Sequence, residues 1–177
     1  MNILRRLLGR DDAPAGSTGP LDADEHVLAF AALTGGGHVV ATSRGLWLPS
    51  DDAPRLLGWH LISKASWQGG AIALVEAVEQ ETIGGAVLIE DLPQRRLRLA
   101  EPGRIPQVVH ERVTGSIKTR HHRELPGGGA WFVQRKVPGR GGFVLQVRPD
   151  PGTDEAALRQ VTADVARQLP VGSSTSP

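Results

Sequence analysis

The chain has 177 residues, a net charge of +1 and no cysteine. This length suits one domain of ordinary size with its own core, so two full domains are not expected. The lack of cysteine excludes disulfides, thiol nucleophiles and thiolate metal sites, and no apolar run reaches the roughly 18 residues that a membrane helix needs. We therefore expect a cytoplasmic protein, with peripheral membrane association left open.

The charges are unevenly distributed along the chain. Residues 11–90 carry three bases against eleven acids, whereas residues 91–148 carry twelve bases against four acids. Two interpretations are open: the two segments attract each other in the fold, or the basic segment forms a surface for an anionic partner.

Residues 1–10 predict a short amphipathic basic helix, because the apolar side chains share one side of it. Two arginines interrupt its apolar segment, so a signal peptide and export are not expected. Residues 11–24 are rich in proline, glycine and aspartate, which predicts a flexible linker. We expect the tethered peptide to contact a partner groove or an anionic membrane through Ile3, Leu4, Arg5, Arg6, Leu7 and Leu8.

Short β-type segments separated by turn residues begin at His26. They predict seven strands, at 26–33, 38–42, 45–49, 55–62, 70–78, 85–90 and 95–99. A series of this kind needs closure into a barrel or cover by a helix, since open antiparallel edges favour association.

After the seventh segment the apolar period becomes helical. Pro106 falls in the first turn of this segment, where a missing amide hydrogen is tolerated. The pattern predicts an amphipathic helix with a basic outer face that buries Ile105, Val108, Val109, Val113 and Ile117.

The C-terminal part predicts a β-hairpin and a second helix. The segments "AWFVQRKV" and "FVLQVRP" flank a glycine-rich turn, and Thr153 is the expected N-cap of the helix that follows. We expect residues 124–169 to pack on the preceding domain and residues 170–177 to be disordered. The apolar face of the helix is formed by Leu158, Val161, Val165 and Leu169.

Several motifs within Glu25–Trp67 suggest a family. Val27 and Leu28 match an opening "E-x-V-L", and a strand corner of the form "V-T-x-x-R-L" is matched by Thr42, Arg44 and Leu46. A later "W-x-x-I-x-x-V-x-W" strand is matched by Trp59, Ile62, Ala65 and Trp67. Together with the order of elements, residues 25–123 resemble a bacterial PH-like domain of the PH and GRAM type.

This resemblance implies an α+β fold, a seven-stranded antiparallel barrel capped by a helix, here followed by a hairpin and a C-terminal helix. It also implies a non-catalytic binding or adaptor module that recognises a protein partner or a membrane surface. The first hairpin loop, "LTGGGH", holds no permanent cation. Inositol phosphate recognition at that loop is therefore not expected. The chain, with 17 arginines and 3 lysines, also resembles uncharacterised actinobacterial proteins of similar length.

The candidate catalytic and metal-binding residues lack a supporting pattern. His121 and His122 are adjacent, so in an extended strand they point to opposite faces and do not easily share an ion. His60 is expected to be a partly buried strand histidine. No phosphate-binding glycine motif and no G-x-S-x-G elbow occurs. We expect no enzyme activity, no cofactor and no metal site.

Three tryptophans, Trp47, Trp59 and Trp67, fall in the β region and are expected to fill the core. An exposed one would be an anchor for a partner.

A basic stretch supports an alternative function, nucleic-acid binding through phosphate contacts. No aromatic platform for bases accompanies it. The sequence leaves the partner and the oligomeric state open. The residues of this possible anionic-partner face are Arg95, Arg96, Arg98, Arg104, Arg112, Lys118, Arg120 and Arg123.

Overall fold

The computed structural model describes residues 12–169. The basic helix predicted at residues 1–10 and the tail predicted at residues 170–177 therefore lie outside the described residues. Of the linker predicted at residues 11–24, residues 12–24 are described.

Four short strands open the fold and form an antiparallel sheet in sequential order. A single 3₁₀ turn, Trp59–Leu61, follows the fourth strand. The strand predicted at 55–62 is therefore interrupted, and His60 lies in a turn and not in a strand. The four strands are β1 (Val27–Ala32), β2 (His38–Thr42), β3 (Gly45–Leu48) and β4 (Arg55–Gly58).

A second, curled sheet has the spatial order β5-β6-β7-β11-β10-β9, with β8 paired to β6. Its first strands are β5 (Ile62–Gln68), β6 (Ala71–Ile83), β7 (Ala86–Asp91) and β8 (Arg95–Arg98). Helix α1 (Ile105–Ser116) separates these from β9 (Ile117–Leu125), β10 (Gly128–Lys136) and β11 (Phe143–Pro149). Helix α2 (Glu155–Gln168) ends the fold.

The curled sheet is mixed because β11 pairs with β7 in parallel, in a register that sets Leu145 opposite Ala86 and Val147 opposite Leu88. The other ladders between the described strands are antiparallel. The protein therefore has an α+β fold built from a four-stranded antiparallel sheet, a curled mixed sheet and two helices.

Among residues 12–169, eight strands and not seven precede the first helix. The additional strand is β5, most of which lies in the interval between the strands predicted at 55–62 and 70–78. The segment after α1 also forms a strand, β9, that sequence reasoning did not identify. Both strands have a single paired neighbour, and polar residues interrupt the apolar pattern of β5 and dominate that of β9.

Helix α1 packs on β1 and β5, and it covers a core that also contains the first sheet. The prediction for its apolar face is confirmed at Ile105, Val108, Val109 and Val113, which are buried. It is wrong at Ile117, because the helix ends at Ser116 and the next residue begins β9.

A second core forms where α2 covers one face of the curled sheet. Leu158 and Val165 are buried there against Phe132, Leu145 and Val147. The predicted hairpin and the predicted apolar face of this helix are thus confirmed.

The N-cap of α2 is Asp154 and not Thr153. The Asp154 side chain accepts a hydrogen bond from the backbone nitrogen of Ala157 at 2.8 Å. The Thr153 hydroxyl instead bonds to the backbone of Gly129, which attaches the start of the helix to β10.

Backbone hydrogen bonds connect the first sheet to the curled sheet. The Thr34 nitrogen donates to the Arg98 carbonyl at 3.0 Å, and the Ala100 nitrogen donates to the Ala32 carbonyl at 2.9 Å. These bonds join the end of β1 to the end of β8, so strands surround the core under α1.

The segment before β1 contacts the first sheet. Asp22 and Asp24 pair with Arg44, and the hydrogen bond from Arg44 holds the pKa of Asp24 below its usual value. Buried Glu25 accepts hydrogen bonds from the Thr42 hydroxyl at 2.6 Å and the Trp47 indole at 3.0 Å.

The expectation that the three tryptophans fill the core is confirmed for Trp47 and Trp59, which are buried. It is wrong for Trp67, which is 41% exposed at the end of β5.

We predict that Gly45→Ala destabilises the protein by about 2 kcal/mol, because a Cβ at this β3 position would lie 2.3 Å from the Leu57 carbonyl oxygen of β4. Gly35→Ala is the matched control, since a Cβ there meets nothing within 4 Å. Its effect should stay within about 0.5 kcal/mol. Urea unfolding of both variants measures the difference. Equal stabilities would contradict the close approach of β3 and β4.

Candidate functional site

The concave face of the curled sheet holds a solvent-accessible cavity of about 470 Å³, called here the basic cavity. Six strands line it: β5, β6, β7, β9, β10 and β11. Because β5 and β9 are the two ends of the sheet, the curl brings distant strands together around one space. The cationic side chains of its wall are Lys64, Arg120, Arg135 and Arg148.

Strand alternation places these cations inside the curl. Along β10, Phe132 packs under α2, whereas Val133 and Arg135 line the cavity. On β11, Val147 packs under α2 and Arg148 lines the cavity. Each strand therefore contributes one face to the second core and the other face to the basic cavity.

Arg135 is a buried cation, with 3% of its surface exposed. Its Nε donates to the Ser116 hydroxyl at 2.9 Å, and its Nη2 donates to the carbonyls of Trp59 at 2.7 Å and Ile62 at 3.1 Å. Burial and, to a smaller extent, the charge of Arg148 lower the pKa of Arg135 to about 10. All three acceptors are neutral, so the positive charge lacks a compensating carboxylate.

Asp91 neutralises part of the wall. Arg148 Nη1 donates to Asp91 Oδ2 at 2.9 Å, and the Ser63 hydroxyl donates to Oδ1 of the same carboxylate. Among the described lining residues this is the one carboxylate. Within residues 12–169, no carboxylate forms an ion pair with the other three cations of the cavity wall.

The Trp131 ring contacts Arg120 at one edge of the cavity. The Arg120 guanidinium lies 4.1 Å from the centroid of the Trp131 ring, a cation–π contact. The ring centroid of His122 lies 4.9 Å from the same indole, and His122 Nε2 is 2.6 Å from Asp150 Oδ2. Arg120 is thereby held on the concave face, although it is exposed to solvent.

Of the eight residues predicted as an anionic-partner face, Arg120 lines the basic cavity. The residues on β8 lie beside β6: Arg95 is 3.6 Å from Glu76, Arg96 donates to the Gln68 carbonyl at 3.1 Å, and Arg98 is exposed.

The remaining predicted residues lie on or next to α1 and β9. Arg104 directly precedes α1, and Arg112 lines a separate cavity beside this helix. On β9, Lys118 is 4.2 Å from the Phe143 ring centroid and Arg123 is 5.9 Å from that of Phe132. The eight residues therefore belong to three regions of the fold and not to a single element.

Three cationic residues of the cavity wall were not predicted from the sequence: Lys64, Arg135 and Arg148. A local signal exists on β11, where Gln146 and Arg148 alternate with Leu145 and Val147, whereas Arg135 stands between Gln134 and Lys136. That pattern is equally typical of a solvent-facing strand, since it does not show that the sheet curls.

No group of three or more metal-ligating side chains with suitable geometry occurs among residues 12–169. In the same range, no helix is long and apolar enough to cross a membrane. The predicted contact residues Ile3 to Leu8 lie outside the described part of the chain.

No known protein family, curated protein or solved structure matches this chain.

We predict that Arg135→Met destabilises the protein by about 3 kcal/mol, because the Ser116 hydroxyl and the buried carbonyls of Trp59 and Ile62 each lose a charged donor. Arg98→Met is the control at an exposed arginine, with an expected change within about 0.5 kcal/mol. Denaturant unfolding measures both. A stability loss no larger than that of the control would show that Arg135 does not hold these segments together.

A second prediction concerns pH. Burial lowers the pKa of His60 to about 4, with contributions from Arg135 and Arg140, and its Nδ1 is buried without a hydrogen-bond partner. The unfolded chain therefore binds a proton at His60 more tightly than the folded chain does. As pH falls from about 6.5 toward 4, protonation of the unfolded chain lowers the free energy of unfolding. Between pH 7 and pH 4.5, His60→Gln should lose about 1 kcal/mol less stability than the parent chain, allowing for partial exposure. Parallel urea titrations at both pH values test this, and identical pH dependence in the two proteins would contradict it.

Proposed function

We propose that this protein is a non-catalytic binding module of PH-like architecture, located in the cytoplasm. In this proposal it recognises a protein partner or a membrane surface by accepting an anionic group of that partner into the basic cavity.

The observation that carries the proposal is the unbalanced charge of the cavity wall. Four cationic side chains face one carboxylate, and Asp91 is already engaged by Arg148 and Ser63. A concave site lined by one sign of charge concentrates its field and attracts the opposite charge. Since Arg135 is buried with neutral partners, an incoming anion would supply its missing countercharge.

The order of the elements supports a PH-like unit within residues 25–123. A four-stranded antiparallel sheet is followed by further strands and by α1, which packs on β1 and β5, and backbone bonds link β1 to the end of β8. The parallel pairing of β7 with β11 and the strand β9 depart from the expected seven-stranded barrel.

The chemistry of the wall supports binding over catalysis. A general acid or base needs a titratable group near the operating pH within reach of the reacting atoms. The described lining residues offer arginines, one lysine and one carboxylate that is bound on both oxygens. His60 is held neutral near Arg135 and does not line the cavity.

Nucleic-acid binding through the basic stretch remains the alternative proposal. Its residues are divided among β8, the neighbourhood of α1, and β9, which argues against one continuous phosphate-binding track.

The decisive comparison removes two charges inside the cavity or two outside it. We expect Lys64→Gln/Arg120→Gln to weaken retention on anionic vesicles, or capture of a partner from lysate, by tenfold or more, because charge-assisted hydrogen bonds contribute about 1.5–3 kcal/mol each. The control Arg98→Gln/Arg104→Gln removes the same charge away from the cavity and should change retention by less than about twofold. Vesicle sedimentation and quantified co-purification are the two readouts.

Equal losses in the two double variants would reject the cavity as the contact. Retention on DNA or RNA that only the control variant loses would favour the nucleic-acid alternative. A chain starting at Asp12 tests the proposed second contact through residues 3–8: unchanged vesicle retention would remove the N-terminal peptide from the proposal.

A further inference from the structure

Resting on the function proposed above, we infer that the basic cavity binds a phosphate monoester in its dianionic form. The phosphate group would contact the arginines of the cavity, and the esterified organic group would occupy the remainder of the space.

The charge of the wall favours a dianion over a monoanion. Four cations and one carboxylate leave an excess of three positive charges. A carboxylate or a phosphodiester supplies a single negative charge, whereas a phosphate monoester carries between about 1.5 and 2 at neutral pH and presents three acceptor oxygens. Arginine guanidinium groups match this geometry with paired donors.

The arginines are also fixed in place before any anion arrives. Arg135 is held by three hydrogen bonds, Arg148 by Asp91, and Arg120 by the Trp131 ring. Binding therefore requires little additional ordering of long side chains, which is a main cost of association. The burial of Arg135 further strengthens its attraction for an anion, because the local dielectric is lower than that of water.

The size and apolar part of the cavity exclude a bare phosphate ion as the best fit. The volume of about 470 Å³ lies in the range of small-molecule sites, which runs from about 300 to 1,000 Å³. Val75, Ile89, Ile117 and Val133 contribute apolar wall on four different strands. An organic group attached to the phosphate would bury this surface, so an ester should bind more tightly than the inorganic ion.

The test uses phenyl phosphate as the monoester, diethyl phosphate as the monoanionic diester and inorganic sulfate as a dianion that does not titrate near neutral pH. Isothermal titration calorimetry on the full chain at pH 7.5 should show phenyl phosphate binding at least tenfold more tightly than diethyl phosphate. Arg120→Gln should weaken phenyl phosphate by tenfold or more, and Arg98→Gln by less than twofold. Thermal melting checks that both variants remain folded, and Lys64→Gln replaces Arg120→Gln if the latter unfolds.

The pH dependence separates a dianion from any singly charged group. The second pKa of a phosphate monoester is about 6, so its affinity should fall about fourfold from pH 7.5 to pH 5.5. The charged groups that line the site are Lys64, Asp91 and the three arginines, and His122 with Asp150 lies next to Trp131 outside that lining. His60 stays neutral in this range. Sulfate affinity should therefore remain constant. A parallel change for sulfate, equal affinities for the two phosphate probes, or no heat with phenyl phosphate at millimolar concentration would each overturn the inference.

Vesicles distinguish the two sources of a phosphate monoester. Sedimentation with phosphatidic acid, compared with phosphatidylglycerol at equal total charge, shows selectivity for a lipid headgroup; phenyl phosphate binding without that selectivity indicates a soluble ester. Both results support the inference. If Lys64→Gln/Arg120→Gln abolishes partner retention but phenyl phosphate does not bind, the phosphate inference fails and the proposed function stands. If phenyl phosphate binds and Lys64→Gln/Arg120→Gln leaves partner retention unchanged, the phosphate inference stands and the proposed function fails.

Discussion

The buried guanidinium of Arg135 connects the two halves of this molecule. It extends from β10, which belongs to the core under α2, to the carbonyls of Trp59 and Ile62 and to the Ser116 hydroxyl at the end of α1, which belong to the other half. The chain between β4 and β5 makes a short 3₁₀ turn, in which the Ile62 backbone nitrogen donates to the Trp59 carbonyl. Gln146 acts in the same way, since its Nε2 donates to the His60 carbonyl at 2.8 Å. Two polar side chains of the hairpin thus add donors to carbonyls of this turn and of the first residue of β5.

The burial of the Arg135 charge costs free energy. A cation that is almost fully buried and bonded to neutral acceptors loses hydration without gaining a countercharge. The hydrogen bonds offset part of that loss and keep the fold closed. The positive charge of Arg135 stays uncompensated, and it adds to the positive potential of a cavity whose wall holds three other cations. In the proposed function, the residue that joins the two cores also supplies positive charge to the anion site, so substitutions at Arg135 should affect stability and binding together.

The sequence predicted the parts of the fold that depend on local periodicity. The apolar spacing from Ile105 to Val113 identified α1, and the spacing from Leu158 to Val165 identified the buried face of α2. The list of seven predicted strands did not include β5, whose exposed residues are Lys64, Trp67 and Gln68, and β9 was not predicted because exposed polar side chains dominate it. The parallel ladder between β7 and β11 joins segments more than fifty residues apart. A local sequence pattern does not predict such long-range pairing. For the same reason Arg120 appeared in a predicted basic stretch, whereas its neighbours in the cavity, Arg135 and Arg148, did not.

Helix α2 fixes the basic cavity without lining it. Phe132 and Val147 face each other across β10 and β11, and both are buried under this helix. Because side chains alternate strictly along a strand, a slip of either strand by one residue would expose these apolar groups and turn Val133 and Arg148 toward α2. The apolar contacts of the second core thus select the one register in which the arginines face the inside of the curl. The position of the cationic groups follows from hydrophobic burial on the opposite face of the same strands, and electrostatic attraction among the described residues is not needed to explain it.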